Sequence, residues 1–143
     1  MLNLKLKSRM TVNQNGKENL TETFIAPLPM TILLVDDTAA TRSITKLFLN
    51  TFGYVVHPFP NAEDALASFD PRLHDVVVTD NTMPGMTGME LAHIVKMRSP
   101  ATPVVMYTGN RPANCSGLDT VIEKPAPLTV LKEVVDKLFA LRR

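Results

Sequence analysis

Acidic, hydroxyl and ammonium side chains follow four separate apolar runs of this 143-residue sequence. Asp36 and Asp37 follow TILLV, and Asp80 follows VVVT. Thr108 ends PVVMYT, and Lys124 comes directly after TVIE. Carboxylates that crowd together repel one another unless a cation joins them. Carboxylate oxygens with no His or Cys nearby favour a hard ion, so the three aspartates predict a Mg²⁺ site, for which Mn²⁺ is an alternative.

The same set of residues can carry phosphoryl chemistry. A carboxylate such as that of Asp80 can attack a phosphoryl group and become an aspartyl phosphate. The transferred oxygens then need positive charge and hydrogen-bond donors. Candidates for these contacts are Lys124, the Thr108 hydroxyl and the backbone N–H groups near Thr82 and Gly109. Each residue taken singly has a simpler interpretation as a helix cap, a turn hydroxyl or a solvated charge. Their joint arrival predicts Asp80 as a phosphoryl acceptor.

Alternating strand and helix patterns position these residues. Predicted strands cover residues 31–35, 54–57, 75–79, 103–108 and 120–123. Apolar residues recur at helical spacing after the first, second, third and last of these strands. The strands read as Val/Ile/Leu runs, which indicates burial on both faces, and alternation with helices indicates a parallel sheet. We therefore predict a doubly wound, five-stranded α/β fold, whose strands bring their carboxyl ends to one crevice.

In this arrangement the chain resembles the receiver domains of two-component response regulators. The match rests on the acidic pair in LLVDD, on Asp80 in VVVTDNTMPGMTGMEL, on Thr108 in PVVMYTG and on Lys124 in EKP, over residues 31–142. Each motif alone is weakly specific, whereas the ordered set is strongly so. The resemblance implies a flavodoxin-like sheet in the order 2-1-3-4-5 and a cis peptide bond between Lys124 and Pro125.

The resemblance also implies a function. Asp80 would take a phosphoryl group from a histidine kinase or a histidine phosphotransfer protein in a Mg²⁺-dependent reaction. Asp37, Asp80 and the backbone carbonyl of Thr82 would ligate the ion, and Asp36 would act mainly through water. The chain would be no turnover enzyme but a stoichiometric phosphoacceptor that assists its own phosphorylation and dephosphorylation. We expect a stand-alone receiver that signals to a downstream protein target by contact or by phosphorelay.

Two features depart from the family pattern. Receivers usually carry an aromatic residue three positions before the lysine, where this chain has Val121. The segment 109–120, between Thr108 and the last strand, is short and contains a proline and two glycines. A crossover between parallel strands needs about a dozen residues or more, usually with a helix. The fourth helix is therefore predicted to be a single turn or absent, and output is expected through another face or a rearranged loop.

A second function stays open. A receiver-like domain can bind a protein partner without phosphorylation, and the loss of the fourth helix and of the aromatic residue at position 121 favours that alternative. A flavodoxin-like electron carrier is disfavoured because VDDTAAT stands where a phosphate-binding loop is needed. A dehalogenase-type phosphatase is disfavoured because adjacent Asp36 and Asp37 do not form an Asp-x-Asp pair.

Composition limits the partners and the location. The chain has 15 basic and 14 acidic residues and a formal net charge of +1, so no bulk field attracts nucleic acid or an anionic membrane. No apolar stretch of about eighteen residues and no signal peptide is visible. The single Cys115 cannot form an internal disulfide. We therefore expect a cytoplasmic protein with protein partners, and the sequence leaves open whether two copies form a homodimer.

The first 29 residues are polar and rich in turn formers. We predict a flexible extension over residues 1–29, ahead of a receiver domain at 30–143. Met30 is a candidate start, because MTILLVDD opens directly on a strand. The extension contains one periodic pattern, a leucine stripe formed by Leu2, Leu4 and Leu6. Its alternation offers another interpretation, a strand that adds to the sheet edge of another chain.

Overall fold

The computed structural model of the chain describes residues 5–25 and 29–141. This part of the chain contains seven strands and four helices. In chain order these are β1 (Lys5–Val12), β2 (Glu18–Ile25), β3 (Thr31–Val35), α1 (Ala39–Thr51), β4 (Val55–Phe59), α2 (Ala62–Ser68), β5 (Val76–Thr79), α3 (Gly88–Arg98), β6 (Val104–Thr108), β7 (Thr120–Glu123) and α4 (Leu128–Leu141). None of the described helices has the length and apolar character that a membrane crossing requires.

Five of the strands form one parallel sheet in the order β4-β3-β5-β6-β7. Counted without the two N-terminal strands, this is the order 2-1-3-4-5. The predicted doubly wound fold is therefore confirmed. The predicted cis peptide bond between Lys124 and Pro125 is also present, directly after β7.

Both faces of this sheet are buried, which is why its strands read as unbroken apolar runs. Successive side chains of a strand point to opposite faces. In β3, Ile32 belongs to a core cluster that includes Leu131 of α4, whereas Leu33 belongs to a second cluster that includes Leu91 of α3. The helices on the two faces therefore fix β3 from both sides, and with it the polar residues that follow this strand.

Side chains cap the first turns of α2 and α3. The Asn61 side chain accepts a hydrogen bond from the Asp64 N–H at 2.7 Å. The Thr87 hydroxyl accepts from the Glu90 N–H at 3.1 Å, and the Glu90 carboxylate accepts from the Thr87 N–H at 3.4 Å. Such bonds satisfy N–H groups that have no partner within the helix. The capping box at Thr87 thereby fixes where α3 begins after the loop that carries Asp80.

No helix lies between β6 and β7, in a segment (109–119) that the structure describes in full. The predicted reduction of the fourth helix is therefore confirmed. The segment ends in Asp119, whose carboxylate lies 2.7 Å from the Lys96 ammonium and accepts the Val104 N–H at 2.7 Å. Leu118 packs against the cluster of Leu33 and replaces part of the apolar cover that a helix would supply.

The N-terminal extension contains more regular structure than the sequence analysis predicted, which was at most one short strand. β1 and β2 pair antiparallel, with Met10 opposite Leu20. The connecting turn is held by the Asn13 side chain, which accepts from the N–H groups of Asn15 and Lys17. The strand β2 escaped prediction because only three residues of ENLTETFI are apolar, which gives no clear alternation.

Part of the leucine stripe lies outside the described residues, because these exclude Leu2 and Leu4. Met10 and Leu20 are 59% and 63% exposed. The addition of the leucine stripe to another chain's sheet edge stays a prediction, as do the flexibility of residues 1–29 and a domain boundary at residue 30.

A histidine pair joins the edge strand β4 to the segment before β5. His74 is only 1% exposed, and its Nε2 lies 2.9 Å from Nδ1 of His57. Because Nδ1 of His74 accepts the Asp70 N–H at 3.1 Å, its Nε2 carries the proton and donates to His57. These bonds require both rings to be neutral. Burial lowers the pKa of His74, and the neighbouring His57 lowers it further.

We expect this pair to make the fold less stable in acid. The pKa of an unfolded histidine is about 6.5, and that of folded His74 lies lower. The stabilising contribution is therefore complete above about pH 6.5 and is lost as the pH falls through the folded pKa. Urea unfolding from about pH 7.5 to about pH 5 should show this slope. A His74→Gln variant should flatten it, because glutamine takes up no proton.

The control is His93→Gln, since His93 is an exposed residue of α3. This variant should keep the wild-type slope. A wild-type slope in His74→Gln would show that another group controls the acid sensitivity.

Candidate functional site

The predicted site residues lie at one edge of the sheet, at the carboxyl ends of four strands. Asp36 follows β3, Asp80 follows β5, Thr108 ends β6 and Lys124 follows β7. Backbone hydrogen bonds continue the pairing beyond the strand ends. The Asp80 N–H donates to the Val35 carbonyl at 2.9 Å, and the Lys124 N–H donates to the Thr108 carbonyl at 2.8 Å. The parallel sheet thus sets all four residues side by side.

Three of the predicted residues form an acidic cluster. One carboxylate oxygen from each of Asp36, Asp37 and Asp80 lies within 4.8 Å of the other two. Asp36 is buried, Asp80 is partly buried and Asp37 is exposed. The Asp36 carboxylate is oriented by the Thr38 N–H, which donates to it at 2.9 Å. Hard cations such as Mg²⁺ prefer carboxylate oxygens, so this donor set fits the ion that the sequence predicts.

In the described part of the chain, one ammonium faces this cluster. Lys124 Nζ lies 3.4 Å from Asp36 Oδ2 and 3.9 Å from Asp80 Oδ2. One positive charge does not balance three carboxylates, so the site keeps a negative charge that attracts a divalent cation. Because Lys124 lies beside Asp80, it is also placed to neutralise the oxygens of a group attached to Asp80.

Polar contacts also join the segment after β6 to the loop after β5. Thr108 is fully buried, and its hydroxyl oxygen accepts the Asn110 N–H at 3.1 Å. The Asn110 side chain in turn donates to the Thr82 hydroxyl at 3.1 Å. A Cβ atom placed on Gly109 would meet no atom within 4 Å. The Thr82–Asn110 bond therefore links the two loops, and the space beside Gly109 is open.

Asn81 and Gly88, which the sequence analysis did not single out, fix the loop after β5 to α3. The Asn81 N–H donates to the Asp80 carboxylate at 2.6 Å, and its side-chain oxygen accepts the Met89 N–H at 3.2 Å. Its carbonyl oxygen accepts the Gly88 N–H at 2.9 Å. A Cβ on Gly88 would lie 2.0 Å from the Asp80 carbonyl oxygen. The backbone of Asp80 is thus packed directly against the first turn of α3.

Glu63 of α2 and Arg42 of α1 contact the same loops from more distant parts of the chain. The Glu63 carboxylate accepts the Met86 N–H at 2.7 Å, and this bond lowers the pKa of Glu63. The Arg42 guanidinium donates to the Asp36 carbonyl at 2.7 Å. Both contacts end on backbone atoms, which leave no residue pattern in the sequence. The sequence signal for Arg42 is its place in the helix that follows the acidic pair.

Comparisons with known proteins all indicate the same family. Residues 32–136 match the response regulator receiver domain. The chemotaxis protein CheY of Pseudomonas aeruginosa is 35% identical, in an alignment that covers 77% of this chain and 96% of CheY. The autoinducer 1 sensor kinase/phosphatase LuxN of Vibrio campbellii is 31% identical over 73% of this chain and 13% of LuxN. The chain likewise spans only 19% of the luminescence regulatory protein LuxO of that organism.

Solved structures agree with this result. The response regulator protein TrrA of Thermotoga maritima, in complex with Mg²⁺–BeF, is 30% identical and superposes with a TM-score of 0.71. The match covers 76% of this chain and 98% of TrrA. The family match over residues 32–136 includes the acidic pair, Asp80, Thr108 and Lys124. This chain belongs to the family of response regulator receiver domains.

Proposed function

We propose that this chain works in the cytoplasm, where Asp80 accepts a phosphoryl group from the phosphohistidine of a histidine kinase or a histidine phosphotransfer protein. The observation that carries this proposal is the placement of the Asp80 carboxylate, which is partly exposed and near both the acidic pair and the Lys124 ammonium. Two relatives support it. TrrA has been solved with Mg²⁺–BeF, and LuxN combines a segment similar to this chain with sensor kinase/phosphatase activity.

The transfer follows from the chemistry of a carboxylate nucleophile. An oxygen of Asp80 attacks phosphorus, an O–P bond forms, the P–N bond of the donor breaks, and the imidazole leaves with the electron pair. The Lys124 ammonium neutralises the oxygens of the transferred group. The Thr108 hydroxyl accepts the Asn110 N–H at 3.1 Å and donates to the Asn110 carbonyl at 3.4 Å, a long bond that it would exchange for one to a phosphoryl oxygen. The backbone N–H groups at Thr82 and Gly109 are further donors.

The acidic cluster has a separate role in this proposal. The three carboxylates of the cluster fit Mg²⁺ or Mn²⁺. Asp37, Asp80 and the Thr82 carbonyl would hold the ion, and Asp36 would act mainly through water. The bound ion supplies positive charge to the phosphoryl oxygens. Because the transferred phosphoryl group stays on Asp80, the chain is a stoichiometric acceptor. It also assists its own phosphorylation and dephosphorylation. Output passes to a downstream protein by contact or phosphorelay, through a surface in which the loop 109–119 replaces a helix.

Intact-mass spectrometry after incubation with acetyl phosphate tests the proposal. Wild-type protein with Mg²⁺ should gain one phosphoryl group, and protein in excess EDTA should gain none. Asp80→Asn should also gain none, because an amide is no nucleophile toward phosphorus. Asp64→Asn is the matched control, since Asp64 is an exposed aspartate of α2 outside the cluster, and it should behave as wild type.

A binding module that works without phosphorylation is the second candidate. Two features favour it: no helix lies between β6 and β7, and position 121 holds valine where the family usually has an aromatic residue. The helix and the aromatic residue are both parts of the usual switch. Rapid hydrolysis could hide an adduct, so beryllofluoride with Mg²⁺ should be added during NMR as a stable stand-in for the phosphoryl group. No adduct, together with unchanged amide resonances around Asp80, would overturn phosphoryl transfer and favour the binding module.

A further inference from the structure

The Lys124 ammonium has a third neighbour besides Asp36 and Asp80. It lies over the aromatic ring of Tyr107, 4.8 Å from the ring centroid. Tyr107 is the residue before Thr108 in β6, and it is only 8% exposed. An ammonium over a ring face is attracted by the negative charge density of the π-system. The ammonium that faces the acidic cluster therefore also contacts an aromatic ring.

The Tyr107 ring is itself fixed. Its hydroxyl donates to the Ala126 carbonyl at 2.8 Å. The ring belongs to the buried cluster that contains Leu131 and Val135 of α4. A ring held at its hydroxyl and along its body loses little further freedom when the lysine rests on it.

The aromatic residue that the family usually carries three positions before the lysine is Val121 here, in β7 opposite Met106 of β6. Tyr107 is the next residue of β6 and pairs with Ile122. The aromatic contact of this site therefore comes from the strand that ends in Thr108 rather than from the strand that ends before Lys124.

We propose that Tyr107 is a positioning residue, whose ring holds the Lys124 ammonium where it meets the phosphoryl group on Asp80. The proposal rests on the proposed function of Asp80. Lysine has a flexible four-carbon stem, so without the ring its ammonium samples solvent and is less often within reach of Asp80. The Asp36 carboxylate alone does not fix it, because the 3.4 Å contact is long for a charged hydrogen bond.

Two substitutions separate the ring from the hydroxyl. Tyr107→Leu removes the π-system and should slow phosphorylation by acetyl phosphate roughly three- to thirtyfold. Tyr107→Phe keeps the ring and loses only the bond to Ala126, so its rate should stay near wild type. In a Lys124→Met background, Tyr107→Leu should bring no further loss, because the group that the ring positions is absent. An equal loss in both backgrounds, or Phe as slow as Leu, would overturn the proposal.

A second measurement does not depend on phosphorylation. A proton above an aromatic ring is shifted upfield, so the ε-methylene protons of Lys124 should resonate upfield in unphosphorylated wild type and Tyr107→Phe. In Tyr107→Leu they should move to ordinary lysine positions, and an unchanged shift would overturn the placement of Lys124 by the ring. A wild-type chain that gains no phosphoryl group but shows the shift would refute phosphoryl transfer while supporting the placement.

Tyr107 is buried, so Tyr107→Leu must be shown to fold by thermal unfolding. If it does not fold, fluorinated phenylalanines at position 107 keep the ring shape while weakening the negative ring face. The phosphorylation rate should then fall stepwise with each added fluorine, and a constant rate across the series would overturn the proposal.

Discussion

An Asp37→Asn variant is expected to bind Mg²⁺ at least about a hundredfold more weakly than the wild-type chain, because losing even an outer-shell partner of a metal site costs about 10–100-fold. Asp37 is the exposed member of a cluster whose carboxylate oxygens lie within 4.8 Å of one another. Asparagine has nearly the same shape but carries no charge. Isothermal titration calorimetry at fixed ionic strength measures the effect, since salt screens exposed charges.

The same substitution should have the opposite effect on stability when the metal is removed. Without a cation, Asp36, Asp37 and Asp80 repel one another, and the ion pairs of Lys124 with Asp36 and Asp80 compensate only in part. In EDTA, Asp37→Asn should therefore melt at a higher temperature than wild type. In excess Mg²⁺ the order should reverse, because a ligand that binds only the folded state stabilises it by RT ln(1 + L/Kd), where L is the free ligand concentration, and this amount is larger for the tighter-binding wild type.

Glu123→Gln is the matched control for both measurements. Glu123 is an exposed acidic residue at the end of β7 and lies outside the cluster. Its loss should leave Mg²⁺ affinity within about twofold of wild type, since an exposed single charge contributes little. If Mg²⁺ stabilised Asp37→Asn as much as wild type, the ion would bind elsewhere.

The fold could be predicted because the apolar runs of the strands show that the sheet is buried on both faces. Ile32 and Leu33 face opposite sides of the sheet, yet both are fully buried. A sheet covered on both faces needs such unbroken apolar runs, and the intervening helices make it parallel. The polar residues at the strand ends then had to meet at one edge. The reduction of the helix in 109–119 followed from the shortness of this segment and from its proline and two glycines, whereas the anchoring of Asp119 by Lys96 did not.

The contacts that hold the site could not be predicted in the same way. Asn81, Glu63 and Arg42 act largely on backbone atoms, and any residue type can supply a backbone partner. Tyr107 reads in the sequence as one more β-forming residue of an apolar run. Its contact with Lys124 depends on which side of β6 the ring occupies and on the path of the chain after β7. Such contacts can be identified only in the folded structure.

Gly88→Ala is expected to destabilise the fold by about 3 kcal/mol or more, the upper range of overpacking costs, and to abolish phosphorylation of Asp80. The new Cβ would lie 2.0 Å from the Asp80 carbonyl oxygen, 2.9 Å from the Asp80 carbonyl carbon and 2.9 Å from the Asn81 Cα. All three are backbone atoms, so no side-chain rotation relieves the clash. The effect is steric, since Gly88 is not among the residues with a positive φ.

The clash is relieved only if α3 moves away from β5. That movement displaces the backbone of Asp80, the phosphoryl acceptor. Gly109→Ala is the matched control at the same sheet edge, where a Cβ meets no atom within 4 Å and φ is not positive. Its stability should stay within about 0.5 kcal/mol of wild type. Urea unfolding and intact-mass spectrometry report the two effects. If Gly88→Ala kept wild-type stability and gained the phosphoryl group, the close contact between Asp80 and α3 would not be needed for either.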